Sequence, residues 1–190
     1  MVYPRPDSIL SGAWADLQDF SEAANTATTT GTKIPPPLFT NISTSIPHRL
    51  LSLNYDETSI HELLRLTMLA YVKSILITMK GSGRNMTFLA EKLKGALLSQ
   101  FSSSDPGQLP LVFWACFMAA LSIFEGCESD WLRMGLQQTM SSLDIRTWPE
   151  ARDFLKGYLW TDMLHDADGE KLFYDYCHLE HAGVENLVVT

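Results

Sequence analysis

Positive charge is scarce in this chain: 14 Lys and Arg stand against 22 Asp and Glu over 190 residues, for a formal net charge of −8. Affinity for phosphates comes largely from clustered Lys and Arg, so this balance argues against direct nucleic-acid binding by the chain alone. Cysteine is almost as sparse. Cys116, Cys127 and Cys177 are odd in number and widely spaced, and the first two lie in or beside strongly apolar sequence. They read as reduced core thiols in a reducing compartment. The opening stretch MVYPRPDSIL has neither a basic leader nor an apolar run, and the expectation is an intracellular protein. No apolar run reaches the roughly 20 residues of a membrane helix. The longest, Leu109 to Phe124, has about sixteen and lacks a basic flank, so no membrane association is expected. Alternating strand patterns and internal repeats are missing as well, which sets aside sandwiches, barrels and solenoids.

What remains is helical periodicity. The run LPLVFWACFMAALSIF is apolar on every side, so it must be wrapped by other helices, with Pro110 in its first turn and Gly126 as its left-handed stop. Ahead of it, Ile9, Ala13, Leu17 and Phe20 define a first helix to about Ala24. The following segment is rich in Thr, Ser and Pro, and the run Pro35 to Pro37 reads as a stiff linker or surface-hugging loop rather than a polyproline ligand. Asn41-Ile-Ser matches a glycosylation acceptor, which the lack of a secretion signal discounts. Ser59 and Glu62 have capping-box spacing before a long helix, from Ile60 to Met79, that Gly81-Ser-Gly83 closes. Further helices are expected from Asn85 or Thr87 to Phe101, from Ser129 to Leu143, and from Thr147 onward until Asp166-Ala-Asp-Gly169 interrupts; Leu172, Phe173, Tyr176 and Cys177 then mark a last one. The fold class is all-α, about six helices around Leu109 to Phe124. The division is residues 1–55 as first helix plus linker, 56–182 as the helical domain and 183–190 as a tail.

Chemical motifs are few. His165, Asp168, Cys177 and His181 are the residues a small metal-binding protein or enzyme would use, yet they lack the paired CxxC or HExxH spacing of a strong metal motif. Asp166-x-Asp-Gly opens like a calcium loop but has Cys177 where the bidentate Glu belongs. No GxSxG elbow occurs, and Cys116 lies in apolar sequence that disfavours a thiolate. No catalytic residue, metal or cofactor is therefore assigned.

Three segments together carry a family likeness: HELLRLTMLAYVKSIL, the apolar run with Trp114, and TWPEARDFLKGYLWTDMLHDADGEKLFYD, with Trp131-Leu between the last two. From about Asp56 to Tyr176 the chain resembles the C-terminal part of the fungal-specific transcription factor domain, through Pro110, Trp114, Trp131, Trp148, Leu159, Trp160, Gly169 and Phe173. The resemblance implies a non-enzymatic, nuclear, all-helical regulatory domain that acts through protein partners, self-association or a small-molecule effector. It also implies an upstream zinc cluster of six cysteines, and three scattered cysteines do not build one. DNA reading is not carried over, and the chain is expected to be either a truncated product or a stand-alone remnant of the regulatory half. Trp114, Trp131, Trp148, Leu159, Trp160 and Phe173 are the expected structural core.

Overall fold

In a computed structural model the described residues are 7–80, 87–102, 105–124 and 130–177, with side chains described to 76 in the first span and to 175 in the last. Among them every regular element is a helix: α1 (Ser8–Thr30), α2 (Pro36–Thr40), a π turn (Asn41–Ser45), α3 (Ile46–Ser52), α4 (Ile60–Lys80), α5 (Thr87–Phe101), α6 (Leu109–Ser122), α7 (Asp130–Ser142), α8 (Trp148–Lys156) and α9 (Asp162–Cys177). The all-α expectation holds, and six of these helices follow Asp56. No described helix is long and apolar enough to cross a membrane.

Helix α6 is the hub. From Leu111 to Ala120 every residue is buried, because α4, α5, α7 and α9 pack around it and leave no face for water. Pro110 lies in its first turn as expected; Gly126 and Ser129 are outside the described residues. Local chemistry starts the neighbouring helices. The Ser59 hydroxyl accepts from the Glu62 N–H at 3.1 Å ahead of α4, although the Glu62 carboxylate turns to Arg65 instead of closing a capping box. At α8 the box is complete: Thr147 accepts from the Glu150 N–H and the Glu150 carboxylate accepts from the Thr147 N–H.

Two expectations are corrected. The linker expected after Ala24 is largely helical. Helix α1 runs on to Thr30, where the hydroxyls of Thr28, Thr29 and Thr30 each bond the carbonyl four residues back, and Gly31 at φ 67° makes the left-handed stop. Residues 36–52 then form a second helical run that buries Ile42, Ile46 and Leu50 completely. Pro36 opens it, where a missing N–H is harmless. The π turn falls just before Pro47, whose ring would otherwise press on the carbonyl four residues earlier; Ile46 donates to the Asn41 carbonyl instead. The second correction concerns Asp166 to Gly169. They lie inside α9 and do not interrupt it; the true break comes earlier, at 157–161 between α8 and α9. Gly169 is tolerated there because it is the contact point for two indoles: a Cβ would come within 2.8 Å of Trp148 and 2.9 Å of Trp160.

Candidate functional site

The irregular segment 157–161 connects α8 to α9 through the interior of the fold. Tyr158, Leu159, Trp160 and Thr161 are all buried, so their peptide groups must find partners away from water. They find them on three helices. Trp114 Nε1 on α6 donates to the Leu159 carbonyl at 3.0 Å, Asn25 Nδ2 on α1 donates to the Trp160 carbonyl at 3.0 Å, and the Thr161 N–H donates to His165 Nδ1 on α9 at 3.0 Å. Asn25 Oδ1 also accepts from the Asp162 N–H at 2.9 Å, which seats the start of α9 on α1.

This bonding fixes the state of His165. A backbone N–H can only donate, so Nδ1 is an acceptor and the neutral ring carries its proton on Nε2. Nε2 faces Ser74 Oγ at 2.9 Å, and the serine passes its own proton to the Tyr71 carbonyl at 2.7 Å. Burial pulls the His165 pKa down to about 4, against the smaller opposing pull of Asp166 and Asp162. Beside it, Tyr71 OH lies 2.6 Å from Ser21 Oγ and 2.8 Å from Thr161 Oγ1, and burial raises that phenol to about 12. Ser21 donates to the Leu17 carbonyl at 2.9 Å, so it accepts from Tyr71, which in turn accepts from Thr161. Every group in this network has a donor or acceptor from the protein itself.

Around the network runs a line of rings. Trp14 meets Trp114 edge-on at 5.6 Å; Trp114 stacks on Tyr158 at 5.6 Å and 14°; Tyr158 leads through Phe154, Phe113 and Phe117 to Trp148. Trp148 touches both Trp160 and Phe173, and Trp160 closes on His165 at 5.0 Å. Trp160 Nε1 donates to Asp166, whose other oxygen takes Arg152; this ion pair, with the indole, holds the Asp166 carboxyl below its ordinary range although partial burial is the largest single influence and opposes it.

Of the expected core residues, Trp114, Trp148, Leu159, Trp160 and Phe173 are buried and gather here. Trp131 does not. It is half-buried on α7, against Phe101 and Phe124, with the Lys94 ammonium 5.5 Å from its ring. Of the four residues of the metal alternative, only His165 and Asp168 have described side chains, and among the described residues no group of three or more His, Cys, Asp or Glu could hold a metal ion. His165 has both nitrogens committed within the fold, and Asp168 is exposed. The Cys177 side chain and His181 lie outside the described residues. Cys116 is fully buried, and burial drives its thiol far up, away from the reactive thiolate. The polar residues that join the elements here, Ser21, Asn25, Tyr71, Ser74 and Thr161, were not singled out as polar partners in the sequence; such contacts span up to 137 positions, and no local spacing signals them. No family model, curated protein or solved structure matches the chain.

Proposed function

We propose that the chain is a non-catalytic regulatory module that acts in the nucleus through contacts with protein partners, as the resemblance to the fungal-specific transcription factor domain implies. One observation carries most of the weight. Trp114, Trp148, Trp160 and Phe173, four of the aromatic residues on which the resemblance rests, converge from α6, α8, α9 and the α8–α9 connection into one set of touching rings. Large aromatic residues at core positions are what a likeness carried by the fold, rather than by a catalytic motif, would rest on. The commitment of His165 to packing and helix positioning supports the non-enzymatic side of the reading and works against the metal or hydrolytic alternative.

The test is a reporter assay with the full chain fused to a foreign DNA-binding domain. The fusion is expected to change reporter output relative to the DNA-binding domain alone, and the bare chain to show no sequence-specific DNA binding. Unchanged output from a folded, nuclear fusion would overturn the proposal, as would specific DNA binding by the unfused chain.

A further inference from the structure

The outer face of α5 carries a groove away from the α8–α9 network. Phe88, Glu91, Lys92 and Gly95 line one wall, and the turn at Glu57 and Thr58 lines the other, enclosing about 330 Å³. Both walls are preformed. Asp56 fixes the turn by accepting from the N–H and hydroxyl of Thr58, at 2.9 and 2.6 Å, and Gln100 Nε2 ties it to α5 through the Thr58 carbonyl at 2.7 Å.

Three features of this groove suit a protein ligand. Phe88 stands 73% exposed at one end, an aromatic side chain held in water on a helix whose opposite face is already packed. Gly95 forms the floor one side-chain layer deep: a Cβ added there meets nothing within 4 Å, so the space above the α5 backbone is open. The charge is one-sided. Among the described residues Glu62, at the edge of the groove, is neutralised by Arg65 and Glu57 is paired with Lys92, with the Glu57 side chain 76% exposed in that pair, while no ion pair engages Glu91. A surface ion pair of this kind contributes about 0–1 kcal/mol. An incoming ammonium or guanidinium can therefore take over Glu57 or Glu91 at little cost.

We propose that this groove is a docking site for an amphipathic helix of another protein, one that sets an apolar side chain over Gly95 against Phe88 and a Lys or Arg on Glu91 and Glu57. A second copy of this chain is the poorer occupant, since each copy carries a net charge of −8. The groove rests on its own geometry and does not depend on the chain being a transcriptional regulator.

The probe is a synthetic amphipathic peptide of about 14 residues with Leu on one face and Lys on the other, fluorescently labelled and titrated with the full chain; the control replaces every Lys with Glu. Binding is expected for the Lys peptide only. Gly95→Leu fills the floor and should weaken it by about tenfold or more. Phe88→Ala should cost about fivefold or more, and Glu91→Lys about threefold with a shallower salt dependence. None of the three positions is buried, so Phe88→Ala and Glu91→Lys should melt near the parent, and Gly95→Leu, which puts a better helix former into α5, at or above it. Failure to bind the Lys peptide, equal binding of the Glu peptide, or full affinity in Gly95→Leu would each overturn the proposal. Self-association that Gly95→Leu abolishes would overturn the assigned occupant in favour of a second copy.

Discussion

The layer made by α1 to α3 and the region made by α6, α8 and α9 join the same core by different means. In the first, aliphatic side chains at four-residue spacing, Ile42, Ile46 and Leu50, sink completely into the interior from a helical run interrupted by a π turn. In the second, rings touch rings, and side chains such as Trp114 and His165 satisfy the backbone of a buried irregular segment. An aliphatic contact is non-directional and scales with area, while a buried indole or imidazole must also be aimed. The difference teaches that an element can be integral to a core without any residue that advertises it.

The largest effect is expected where packing and aim coincide. Trp114→Ala should cost about 3–5 kcal/mol, because it empties a fully buried site between Trp14 and Tyr158 and leaves the Leu159 carbonyl without its donor. Urea denaturation at neutral pH measures it, and a loss below about 1 kcal/mol would remove α6 from the centre of the fold. Ile46→Ala probes the other side of the comparison. If residues 36–52 are core, it should cost about 2–5 kcal/mol; a linker residue would cost less than about 0.5 kcal/mol.

These two substitutions also mark how far the sequence could be read. Trp114 lies in an uncharged run whose burial follows from composition, so its place at the centre was legible. Ile46 was not, although it shares a four-residue period with Ile42 and Leu50. Three prolines, the Ser and Thr content and the Pro47 interruption favour a loop when judged locally, and only burial against α1 and α4 overrides them. The polar network was hidden for the same reason: Ser21, Tyr71 and Thr161 meet only after folding. The groove on α5 shows the converse limit: Phe88 is as apolar as its neighbours Leu89 and Leu93, yet its face of the helix, with Glu91, Lys92 and Gly95, looks to water.

The seam between the two regions should respond to acid. His165 on α9 sits with Tyr71 and Ser74 of α4, while Ser21 reaches it from α1 through Tyr71 and Thr161, and Asn25 of α1 holds the adjoining Trp160 carbonyl and Asp162 N–H. The nearest carboxylates are Asp162 and Asp166, both engaged by Arg152. Its folded pKa, about 4, lies below the ordinary 6.5. Between those values the unfolded chain binds a proton that the folded chain refuses, so stability falls as pH drops from about 6.5 toward 4, by about 3 kcal/mol in total. Carboxylates with depressed values, such as Asp166, add their loss only below the ordinary carboxylate range, at the bottom of that window. Urea midpoints at pH 7, 6 and 5 should decline in the parent and decline less steeply in His165→Gln, whatever that variant costs at pH 7. Equal slopes would mean that the imidazole is not held neutral by the seam.

The smallest effect is the sharpest discriminator, because two terms of opposite sign meet at Gly169. In an open helix Gly→Ala stabilises by about 1 kcal/mol, since alanine orders the backbone at lower entropic cost. In α9 the new methyl would stand 2.8 Å from Trp148 and 2.9 Å from Trp160, and those indoles cannot swing aside freely: Trp160 is tied to Asp166 through Nε1, and Trp148 is wedged against Phe117 and Phe173. Overpacking of that kind costs about 1–3 kcal/mol and exceeds the helix gain. Gly169→Ala should therefore destabilise by about 1 kcal/mol net. A gain instead would mean that the rings yield, and that the α8–α9 region, like the α1–α3 layer, is held by area more than by fit.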